Sequence, residues 1–125
     1  MINKLKKVLP ISFTVAVVNI IIAFAWGSLN LDIPKDHELI PFVIMSGVMT
    51  LIFNILGVLV LILFQNKFSS NGTIIWRVIG IVFIIIWTSL PIFDGFHSET
   101  SLVLALITHS VAGIPALILY PDRIK

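Results

Sequence analysis

Three histidines, six carboxylates and no cysteine are the groups from which this chain of 125 residues could build acid–base or metal chemistry. Without cysteine there is no disulfide framework, thiolate zinc site, iron–sulfur cluster or thiol relay. His37 sits with Asp32, Asp36 and Glu38 in one short polar segment, and His97 sits between Asp94 and Glu99 in another. Carboxylate and imidazole donors are ligand types that divalent cations take. Neither segment has the paired-histidine spacing of a helical metal motif, so Asp36, His37, Asp94, His97 and Glu99 are cation candidates on donor type alone. His109 is different, because it falls within a long apolar run that holds no acid. A general base needs a partner to orient it, and none shares its run. We therefore expect no catalytic residues and no cofactor.

The elements that position these groups follow from composition. Hydrophobic residues make up 58% of the chain and charged residues 11%, with a mean hydropathy of +1.13. A soluble domain carries about 25% charged residues, so fourteen charges cannot coat a globule of this size. A water-soluble enzyme, a nucleic-acid partner and a disordered tail are all excluded. Residues 11–29, 41–64, 74–93 and 101–120 are each long and apolar enough to span a bilayer, at about 1.5 Å per helical residue against roughly 30 Å of hydrocarbon. Thirteen of the fourteen charges fall outside these spans. The exception is Arg77, one turn inside the third, where its stem can snorkel to the interface.

In lipid the backbone must satisfy its own hydrogen bonds, so spans of this length are helices despite β-branched runs such as Ile20–Ile22 and Ile84–Ile86. Short connectors make sequential helices antiparallel neighbours. The expected fold is an all-α, single-domain, four-helix integral membrane bundle. Lys4, Lys6, Lys7, Lys67, Arg77, Arg123 and Lys125 share one side, and only Lys35 lies on the other. The positive-inside rule then puts both termini in the cytoplasm of a multi-pass cell-membrane protein. Trp26, Trp76 and Tyr120, near span ends, are expected as interfacial anchors. The lysine-rich start and Ala23-Phe24-Ala25 imitate a cleavable signal peptide, but the apolar run from residue 8 to 25 exceeds the usual 7–15 residues. The segment is read as a permanent helix.

Between helices in lipid, contacts are marked by small and polar residues. The first span carries Ser12, Ala16, Asn19, Ala23 and Gly27 at helical spacing, and the second Gly47, Thr50, Asn54 and Gly57. The third offers Gly80, Ile84, Trp87, Thr88 and Pro91, and the fourth Ala105, Thr108 or His109, Ala112, Gly113 and Ala116. Asn19, Asn54 and His109 lie near the middle of their spans and form one polar layer. Two readings stand: interhelical hydrogen bonds that hold the bundle, or a ligand or proton-relay site to which Trp87, Thr88 and Pro91 also belong, since histidine titrates near neutral pH. Pro91 and Pro115 each remove a helical donor and free a carbonyl one turn back.

Arg77, Thr88-Ser89-Leu90-Pro91 and the run Leu102-Val103-Leu104-Ala105-Leu106-Ile107-Thr108-His109-Ser110-Val111-Ala112-Gly113 resemble a group of small four-span bacterial membrane proteins of unknown function. The resemblance is strongest over residues 76–121 and extends to the first half in layout only. It implies weight for Pro91 and His109 and no activity. Small multidrug exporters are similar in length but use a membrane-embedded Glu, where this chain has Asn19. The leading expectation is a non-catalytic accessory or interaction protein whose bundle holds a lipid or hydrophobic ligand. Its partners would be the lipid bilayer, another membrane protein or further copies of itself. The alternative is a small oligomeric transporter or proton-coupled carrier using the polar layer.

Overall fold

A computed structural model describes residues 2–29, 39–93 and 99–124. It contains four α-helices: α1 (Ile2–Ser28), α2 (Leu39–Phe68), α3 (Ser70–Phe93) and α4 (Glu99–Arg123). All four are long and apolar enough to cross a membrane. With 27, 30, 24 and 25 residues, they reach about 36–45 Å at 1.5 Å per residue. That exceeds the hydrocarbon thickness, so each begins or ends beyond the span expected from hydropathy. The physical reason is that a helix need not stop where the lipid tails do. Lys4, Lys6 and Lys7 extend α1 into the polar region, and Pro10 is accommodated inside it.

The helices run alternately up and down in a closed ring, α1–α2–α3–α4 and back to α1. α2 and α4 also touch across the middle, while α1 and α3 do not meet among the described residues. Small residues set the spacing. On the α3–α4 seam, Leu117 of α4 lies over Gly80, and Ile84 of α3 lies over Gly113. Each glycine is the hole for a branched side chain from the other helix. Gly47 of α2 does the same for Ile20 of α1.

The segment 65–73, expected as a connector, is almost all helix. α2 continues to Phe68, the chain turns at Ser69 with φ of 50°, and α3 begins at the next residue. Gly72 N–H donates to Ser69 O at 3.2 Å, and Gln65 Nε2 donates to Thr73 Oγ1 at 3.2 Å. A Cβ on Gly72 would run into the backbone of Phe64 and Gln65. The turn is tight because glycine lets the start of α3 lie directly on the end of α2.

The main apolar core lies toward the end of the bundle that carries the N-terminus. Val8, Val58, Leu61, Ile62, Trp76, Tyr120 and Ile124 form it, with Leu5, Ile11, Phe64, Ala116 and Leu117 packed around them. Trp76 and Tyr120, expected as interfacial anchors, are therefore inside. Their polar atoms find buried partners, which removes the need to reach the interface. Outward faces are rich in Ile, Leu, Val and Phe, as lipid contact requires.

Gly72→Ala is expected to destabilise the bundle by about 1–3 kcal/mol, the cost of forcing backbone to move. Gly57→Ala meets only the Trp76 ring at 3.9 Å and should change stability far less. Denaturant unfolding of the two variants in detergent checks the contrast.

Candidate functional site

The small-residue stripe of α1 turns Ser12 and Asn19 inward, and the stripe of α2 does the same for Thr50 and Asn54. All four are buried. Asn19 Nδ2 donates to Thr50 Oγ1 at 2.9 Å and to Thr108 O of α4 at 3.1 Å. Thr50 gives its own proton to Ser46 O at 2.7 Å, so toward Asn19 it is the acceptor. Asn54 Nδ2 donates to Thr50 O at 2.8 Å. Its Oδ1 receives the Tyr120 hydroxyl at 2.8 Å.

Tyr120 is the hub of this arrangement. Its one proton goes to Asn54, so the Ser12 hydroxyl is the donor in the 2.7 Å contact between Ser12 Oγ and Tyr120 OH. Ser12 Oγ also lies 3.2 Å from Val8 O. A continuous network thus runs Ser12–Tyr120–Asn54–Thr50–Asn19–Thr108 and joins α1, α2 and α4. Among the described residues, the buried side-chain polar atoms without a partner are Asn19 Oδ1 and Trp26 Nε1.

His109 does not join Asn19 and Asn54. It is half-buried on the other side of α4, where its Nδ1 lies 3.2 Å from Thr88 Oγ1 of α3. The neighbouring residue, Thr108, is the one that meets Asn19, and successive residues on a helix point about 100° apart. Trp87 presents its ring edgewise to His109 at 6.5 Å and stacks on Phe83 at 5.5 Å. Phe53 of α2 closes the cluster, 5.1 Å from Trp87 and 5.9 Å from Phe83. The histidine therefore sits at the rim of an aromatic patch with a hydroxyl as its hydrogen-bond partner. Neither arrangement offers an acid–base pair.

Pro91 lies within α3, which continues two residues past it to Phe93. Thr88 bonds His109 and Ser89 Oγ donates to Ile85 O at 2.8 Å, so both hydroxyls are engaged elsewhere than at the carbonyl Pro91 frees. Asp36, His37, Asp94 and His97 lie outside the described residues. Glu99 is the first residue of α4. Among the described residues no three His, Asp, Glu or Cys side chains gather as a metal site would require.

Tyr120 is the functional-site residue that spacing arguments passed over. Continuing the stripe Ala105, Thr108, Ala112, Ala116 by one more turn reaches it. Trp76 and Arg77 were also legible only as interface residues. Trp76 Nε1 donates to Gly57 O at 2.9 Å, and Arg77 Nε donates to Leu117 O at 3.0 Å. They tie α3 to α2 and α4.

A model of a family of unknown function (DUF6069) matches residues 6–123. The likeness to a small family of unknown function thus covers the first half as well as the second. No curated protein and no solved structure matches the chain.

Tyr120→Phe is expected to cost about 1–2 kcal/mol, the upper range for an interhelical hydrogen bond in a membrane, since Ser12 and Asn54 lose the same partner. A double-mutant cycle with Ser12→Ala, read by unfolding in detergent, should give a coupling of about 0.6–1.7 kcal/mol. Additive losses would mean that the network is not an energetic unit.

Proposed function

We propose, for a chain that belongs to the DUF6069 family of unknown function, a non-catalytic role as an accessory or interaction protein of the cell membrane. The observation that carries this reading is that the interior network, Asn19 Oδ1 apart, bonds to itself and to nearby carbonyls. Ser12, Thr50, Asn54 and Tyr120 bond one another or nearby carbonyls, so their polar capacity goes into holding α1, α2 and α4 together. What is left for recognition is the outside. Ile74, Val78, Ile81 and Ile85 on α3 are exposed and recur at steps of three and four, an apolar stripe that a membrane-protein partner or another copy can cover.

A cytoplasmic location for both termini is supported by the positive-inside rule, since Lys4, Lys6, Lys7, Lys67, Arg77 and Arg123 all belong to the end shared by the start of α1 and the end of α4. The cysteine-free chain makes this directly testable. In intact cells an impermeant maleimide should label Ser98→Cys and leave Asn66→Cys unlabelled until the cells are opened.

One observation favours the transporter reading: among the described residues Asn19 Oδ1 is a buried acceptor without a partner, which a small polar guest could satisfy. The two readings separate in reconstituted vesicles. The accessory reading expects no pH-driven flux, no effect of His109→Ala on assembly, and discrete protein adducts from a photo-crosslinker at Ile85. Flux that His109→Ala abolishes would overturn it.

A further inference from the structure

Pro121 has no N–H, so the carbonyl four residues before it, Leu117 O, loses its normal helical donor. Arg77 supplies the replacement through Nε at 3.0 Å. This bond holds the guanidinium against α4 and uses one of its five N–H groups. The side chain is otherwise exposed. Arg77 lines an open groove of about 600 Å³ together with Gln65, Ser69, Thr73, Ile74, Pro121 and Asp122.

The chemistry of the groove is mixed in sign. Arg77 offers a rigid fork suited to a phosphate. Asp122 is the one acidic residue at an end otherwise rich in Lys and Arg, and it lines this same groove. It has a partner of its own, but a carboxylate has about four lone-pair sites and can accept more than one donor. Gln65 gives its Nε2 to Thr73, and its carbonyl oxygen takes no protein donor among the described residues. Carboxylate and amide oxygens accept from a primary ammonium, whereas a quaternary ammonium prefers aromatic faces, and no aromatic side chain lines the groove. Ile74, Val78 and Ile81 lead from it along the exposed face of α3, the direction in which acyl chains would run.

We propose that this groove binds the headgroup of a phosphoethanolamine-bearing phospholipid, with Arg77 on the phosphate and Asp122 and Gln65 on the ammonium. The site lies outside the interior network, so the lipid occupies the rim between α2, α3 and α4 rather than the middle of the bundle. It rests on neither the accessory reading nor a given orientation in the membrane, but its acyl chains would cover Ile74, Val78 and Ile81 and so confine a protein partner to the stretch around Ile85.

Native mass spectrometry of the purified protein, titrated with ethanolamine, glycerol and choline phospholipids of matched chains, tests the site. The wild type should retain one ethanolamine lipid at about a tenfold lower concentration than the other two, the scale of one charge-assisted hydrogen bond. Arg77→Gln should weaken retention of all three lipids alike, because the phosphate it holds is common to them. Asp122→Asn, an exposed change that leaves the core intact, should remove the preference for ethanolamine while glycerol lipid binds as well or better. Equal retention of all three lipids by the wild type, or an ethanolamine preference that survives Asp122→Asn, overturns the proposal. Soluble phosphoethanolamine binding as tightly as the lipid would also overturn it, because the ligand would then be the free headgroup.

Discussion

A polar atom buried between helices in a bilayer has no water to fall back on, so it must find its partner within the protein. Most of the described architecture answers that constraint. Tyr120 donates to Asn54 and receives from Ser12, and Asn19 divides its two protons between Thr50 and the backbone of Thr108. Five side chains of modest polarity thereby connect three helices that lie on apolar neighbours elsewhere. The same rule extends to the backbone. Leu117 O, orphaned by Pro121, is met by Arg77, and Gly57 O accepts Trp76 Nε1.

Shape supplies what hydrogen bonds do not. Leu and Ile are as much at home in lipid as in the bundle, so helices approach closely only where small residues let them. Gly80 and Gly113 receive Leu117 and Ile84 in turn, which locks α3 against α4 over successive turns. At the α2–α3 turn Gly72 permits backbone contact that any side chain would block. Together the glycines and the network explain why α2 and α4 touch across the middle while α1 and α3 stay apart among the described residues.

The two candidate regions differ in chemical character for a reason rooted in depth. The interior network lies where lipid surrounds the helices, and its groups, Asn19 Oδ1 apart, satisfy one another. The groove around Arg77 lies at the polar end, where a charged side chain can keep unsatisfied donors because water or headgroups are at hand. His109 belongs to neither. Its place beside Thr88 and the Phe53–Phe83–Trp87 cluster makes it part of the α3–α4 seam.

By itself the sequence determined the class and the number of helices, because hydropathy and length decide what can cross a bilayer. It also determined the inward faces of α1 and α2, since small and polar residues at helical spacing can serve only as contacts there. Tertiary structure alone decided which polar residues meet. Asn19 and Asn54 sit on predictable faces, yet their link runs through Thr50 and Tyr120, and His109 points away toward Thr88. Spacing along one helix gives the direction of a side chain, but the identity of its partner depends on how neighbouring helices are rotated and offset. Trp76 and Tyr120 look like interface anchors by position, and only the packing of four helices brings a buried acceptor within reach of each.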